Sequence, residues 1–135
     1  MIKRTLGCAV LLSAWLMGSG SLLAHHSLAG VYDMKADKEV KGTVEKVQFV
    51  NPHGSLTILA KNPDGTTKEW VFTLGSSTAL AQRGVGKIGP NALHTGDEIT
   101  VKCIPAKDGS PLGFLKSVTY PDGHNVVFSG GGPND

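Results

Sequence analysis

The chain has 135 residues, with 13 Lys+Arg against 11 Asp+Glu, a formal charge of +2 at neutral pH and only 6% aromatic residues. Two of the cations, Lys3 and Arg4, lie at the extreme N-terminus, and without them the count is 11 against 11. A neutral remainder excludes the basic footprint of a nucleic-acid or acidic-membrane binder, and the length suits one compact domain with one core.

Lys3 and Arg4 form a positive n-region, and Leu6 through Met17 is apolar over about a dozen residues, the pattern of a bacterial export signal. A spanning helix needs about 20 apolar residues, so no stable membrane span is expected once the signal is removed. Cleavage after Ala24 is favoured, giving a signal over residues 1–24. Ser19 and Ser21 form an alternative small-x-small pair, with cleavage before Leu22. The expected location is periplasmic or secreted. Cys8 precedes completion of the apolar stretch and is not a lipidation site. Export leaves Cys103 as the one mature cysteine, and its neighbours Val101 and Ile104 predict a buried, inert thiol.

Residues 25–37 form an N-terminal segment. From Lys38 to Phe128 apolar and polar residues alternate between turn residues, which is the period of half-buried strands. Val40, Gly42 and Val44 share one parity and Val47 and Phe49 the other, so the inward face changes phase near Glu45 and Lys46, predicting a bulge. Leu56, Ile58 and Ala60 mark a second strand, joined through Asn62-Pro63-Asp64-Gly65 to a third with Trp70, Phe72 and Leu74.

Ser76 or Ser77 caps a short helix over residues 78–83, and Gly84 stops it. A Gly-rich loop follows, then a fourth strand with Ile99, Val101 and Cys103. A fifth lies near Phe114, Val118 and Tyr120, and a last short one runs through Val126 and Phe128. Three strands, one helix and two strands predict an all-β, mainly antiparallel fold. It is a small OB-like five-stranded barrel with one short helix and an appended C-terminal strand, spanning residues 38–128. The Gly-rich tail over residues 129–135 is expected to be disordered.

Five histidines occur, at 25, 26, 53, 94 and 124, with no helical or zinc-finger spacing among them. Cleavage after Ala24 makes His25 the first residue, and an α-amino group titrates near pH ~8, low enough to share a metal with the imidazole beside it. His53 lies in the turn between the first two strands, a loop that helps form the ligand surface of an OB barrel. The amine and ring of His25 with the ring of His53 form a three-nitrogen set that suits Cu(II) by its tetragonal preference. His26 offers an auxiliary route through its ring, the terminal amine and the intervening amide. His94 and His124 flank turns and read as solvated surface residues.

No nucleophile–base pair is evident, and no serine sits in a strand-to-helix elbow. Lys107 and Asp108 are expected at the same rim as His53. Trp70, Phe72 and Phe49 share the inward parity, and Lys41, Lys46, Lys61 and Lys68 are offset by Glu39, Glu45, Asp64 and Glu69, so a nucleic-acid stacking platform is not expected.

His25-His26-Ser27, Val40 to Val44, Asn51-Pro52-His53, Trp70 to Leu74, Leu80 with Arg83-Gly84, Gly96-Asp97 and Lys107-Asp108-Gly109 together resemble the DUF6152 family of small exported bacterial proteins. The resemblance spans nearly the whole mature chain. It implies a secreted single domain and supports cleavage before the histidine pair, and it brings no established activity. The sequence therefore reads as a binding module for a small ligand or metal ion, copper first, through His25, His26 and His53. The rival is a structural or interaction module without metal, docking an exported enzyme or membrane complex.

Overall fold

In a computed structural model the described residues are 27–128, so the expected export signal over residues 1–24, His25, His26 and residues 129–135 lie outside them. After a short helix α1 (Ser27–Val31) come β1 (Lys38–Gln48), β2 (Ser55–Lys61), β3 (Thr67–Thr73), α2 (Ser77–Gln82), β4 (Glu98–Pro105), β5 (Leu112–Thr119) and β6 (Asn125–Val127). The sheet order is β3-β2-β1-β4-β5-β6, and a further pairing of β3 with β5 closes the first five strands into a barrel. That closing pair is parallel, whereas all other strand pairs are antiparallel. The OB-like five-stranded barrel with an appended strand is the observed architecture, and it lies wholly within the second of two units, Val31–Asp135.

The bulge read from the parity change is present: the β1–β2 register shifts between Val44 and Lys46, leaving Glu45 without a partner. Both halves of β1 can then turn apolar residues inward, with Val40 and Val44 buried and Val47 packed against the same core. A Cβ on Gly42 would stand 2.5 Å from the Leu59 carbonyl oxygen, so the strand crosses β2 there only because it carries no side chain.

A second bulge sits opposite Lys102 and Cys103, whose partners on β5 are Ser117 and Leu115, leaving Lys116 extra. Alternation alone does not reveal it, because Gly113, Phe114 and Leu115 are buried in succession. Leu115 joins the main core, while Phe114, opposite Ile104, belongs to a separate apolar layer. Tyr32 covers that layer. Its ring lies 6.0 Å from that of Phe114, its hydroxyl meets Thr73 Oγ1 at 2.8 Å, and its backbone bridges to Ala106. The N-terminal segment thus begins the barrel's packing six residues before β1.

Tyr32→Ala is expected to destabilise the chain by about 3 kcal/mol through lost burial, and Tyr32→Phe by about 1 kcal/mol through the hydroxyl alone. Urea midpoints read both.

The main core gathers Leu56, Ile58, Phe72, Leu74, Leu80, Val101 and Val118, all fully buried. Cys103 is among them as expected, and a Cβ on Gly113 would meet its sulfur at 2.7 Å. Burial pushes the Cys103 thiol up to about 11 from an ordinary value near 9. The unfolded chain therefore releases this proton at lower pH than the folded chain does, and alkali favours unfolding. Stability is expected to fall between pH 9 and about 11, and Cys103→Ala should flatten that limb in urea melts measured against pH.

Candidate functional site

His53 belongs to the loop that follows β1, and that loop is anchored on both sides. Asn51 precedes a cis peptide bond to Pro52, and its Oδ1 accepts hydrogen bonds from the Ser77 backbone N–H at 3.0 Å and the Ser77 hydroxyl at 2.9 Å. On the other side Leu74 N–H donates to the Gly54 carbonyl at 2.9 Å, and Gly54 N–H to the Gly75 carbonyl at 3.3 Å. The loop is therefore tied to the turn that leads into α2.

The helix is in turn tied to the barrel. Ser76 caps it, accepting from Ala79 N–H at 3.2 Å through its side chain, as the serine pair predicted. It ends at Gly84, whose φ of +71° is a left-handed conformation that glycine adopts without a Cβ penalty. Leu80 and, just beyond the helix, Val85 are both buried in the core. The Gly-rich loop thus contributes a core residue at Val85 that its composition does not announce. Tyr120 pins the loop's far side, donating from its hydroxyl to the Asn91 carbonyl at 2.9 Å.

Between these supports lies a cleft of about 260 Å³ bordered by Pro52, His53, Ser76, Arg83 and Phe128. His53 is exposed at its edge, and among the described residues its ring has no hydrogen bond or ion pair. The other two described histidines are engaged. His94 donates its backbone N–H to Asp97 Oδ2 at 2.9 Å and holds its ring 3.7 Å from the same carboxylate. His124 pairs its ring with Asp122 and stacks on Tyr120 with centroids 4.2 Å apart. Hydrogen bonds from the His124 backbone and ring hold the Asp122 carboxyl below its usual range.

Lys107 and Asp108 do not border this cleft. Asp108 folds its own turn, accepting from Ser110 N–H at 2.9 Å and Ser110 Oγ at 2.6 Å, and the strand that follows pairs beside Val71. No group of three His, Cys, Asp or Glu side chains that could hold a metal ion is found among the described residues. His25 and His26 lie outside those residues. The sequence reading missed the Asn51–Ser77 link, although an Asn before proline is a residue type suited to capping a nearby N–H.

Asn51→Ala is expected to cost about 1 kcal/mol and to speed amide hydrogen exchange at Gly54 and Ser77, while exchange in β4 stays unchanged.

A model of a protein family, described as a family of unknown function (DUF6152), matches residues 14–116 of the chain. No curated protein and no solved structure matches it.

Proposed function

We propose, starting from the fact that the chain belongs to the DUF6152 family, that the protein is a small exported binding protein for Cu(II). The ligands in this reading are the terminal amine and ring of His25 and the ring of His53, with His26 auxiliary. The observation that carries it is the uncommitted His53 ring at the edge of an anchored cleft, where His94 and His124 are already engaged by Asp97 and Asp122.

The chemistry supports the same choice. Imidazole and amine nitrogens suit Cu(II) over the hard cations, which prefer oxygen. No metal-holding group forms among the described residues alone, so His53 needs donors from elsewhere in the chain, and an N-terminal histidine supplies two. Export supports the reading as well, because it depends on cleavage that frees the His25 amine. The positive n-region and short apolar run are the grounds for export. Among the described residues no helix is long and apolar enough to cross a membrane.

Intact mass of the exported protein is expected to place the N-terminus at His25. Titration of that species with Cu(II) should then show one tight equivalent, and His53→Ala should weaken it at least tenfold, or by about 1.4 kcal/mol. Undiminished binding in His53→Ala removes the two-segment site. Retention of a protein partner that survives both chelation and histidine substitution assigns the interaction module instead.

A further inference from the structure

At the opposite end of β2 from His53, roughly 20 Å along the strand, the barrel carries a second concavity of different chemistry. It measures about 380 Å³ and is walled by Lys38, Lys41, Lys61 and Lys68, with Glu39 and the Trp70 ring completing it. This volume lies near the lower end of the roughly 300–1,000 Å³ typical of small-molecule sites. Four cations and one carboxylate make it the reverse of the balanced surface that the strand-by-strand charges imply.

Among the residues that line the trough Glu39 is the one carboxylate. Asp64 spends its Oδ1 on Thr66, accepting from its N–H at 2.9 Å and its hydroxyl at 2.6 Å. Asp37 holds Lys102 and Lys116 instead, at 3.5 Å and 2.8 Å. Glu45 stands at the β1 bulge, beyond Val44, and Glu98 borders an adjoining trough that shares Lys41 and Lys61. Among the described residues none of the four lysines makes an ion pair.

Their positions also concentrate charge. One step beyond the Gly42–Ala60 pair, the register sets Lys41 beside Lys61 across two strands. Like charges facing each other in this way destabilise a sheet. Lys38 and Lys68 hold their ammonium groups 5.5 Å and 6.0 Å from the same Trp70 ring, so two more cations converge on one indole. A local cost of this kind is typical of a binding site, where the ligand removes it.

We propose that this lysine-walled trough binds a compact soluble oligoanion carrying two or more phosphate-type charges. Lys38 and Lys68 hold it over Trp70, and Lys41 and Lys61 hold it from the β1–β2 side. The ligand is compact and not a stacked nucleic-acid strand, because Trp70 is only 9% exposed and lies stacked on a fully buried Phe72. Lysine provides donors and no acceptor, which matches a ligand that offers only acceptor oxygens.

The test uses the full chain with Trp15→Phe, so that Trp70 is its one tryptophan whether or not residues 1–24 have been removed. Sodium pyrophosphate is titrated in metal-free buffer at ionic strength held constant with sodium chloride, and Trp70 emission is followed. A saturable change is expected, weakened at least tenfold in Lys38→Gln/Lys68→Gln and in Lys41→Gln/Lys61→Gln. The second pair does not touch the indole, so it reports on binding apart from any direct change in emission. Lys46→Gln should leave the titration unchanged. The proposal is overturned by a non-saturating response equal to that of chloride, by an equal loss in Lys46→Gln, or by undiminished binding in both lysine pairs. Sedimentation with phosphatidylglycerol vesicles in the absence of a pyrophosphate response also overturns it, in favour of a lipid surface.

Discussion

A strand that hydrogen-bonds to neighbours on both edges has to bend if those neighbours are to meet on the far side of a barrel. β1 carries this constraint. Its first half pairs with β4 and its second half with β2, the two runs overlapping at Gly42 and Thr43. The bend is made by Gly42, where any side chain would strike the Leu59 carbonyl, and by the bulge at Glu45. With that curvature β3 reaches the start of β5, the sheet closes, and β6 pairs with the later residues of β5, Ser117 to Thr119. A straight β1 would leave the apolar faces of β2 and β4 unable to enclose Phe72, Val101 and Val118 together.

Closure then determines what the loops can do. The chain leaving β1 emerges beside the turn that starts α2, and Asn51 joins the two through Ser77. Leu80 and Val85 bury α2 and its exit in the core, so the surface around His53 rests on packed structure and not on a free loop. Orientation of a ligand by one imidazole requires such support, because a ring on a mobile turn loses its geometry to entropy.

The two ends of β2 differ in character for a similar reason. At the His53 end the polar groups are largely consumed by capping and loop-anchoring hydrogen bonds, which leaves one imidazole available among the described histidines. At the other end Asp64 is drawn into its own turn and Asp37 toward Lys102 and Lys116, while Lys38, Lys41, Lys61 and Lys68 border one trough, Lys38 and Lys68 beside Trp70. The metal reading and the oligoanion reading therefore depend on separate residues, and each stands or falls alone.

Local spacing determined the strands and their succession along the chain, the β2–β3 hairpin, a serine cap at Ser76 or Ser77 and the first bulge, because each involves residues adjacent along the chain or across a tight turn. Local spacing also singled out His53 by its place after β1. Alternation failed where burial came from elsewhere. Gly113, Phe114 and Leu115 are buried together because Tyr32 covers the outer layer, and the Tyr32–Thr73 contact spans 41 residues. Val85 looked like part of a solvated glycine loop until the fold drew it inward, and the Asn51–Ser77 link spans 26 residues. The charges offer the sharpest contrast. The sequence by itself determined that Lys+Arg and Asp+Glu are equal in number outside Lys3 and Arg4, but a sum carries no positions. Only the tertiary structure decided that Lys38, Lys41, Lys61 and Lys68 share one trough with Glu39 as the one carboxylate lining it, since that depends on how the strands curve around each other.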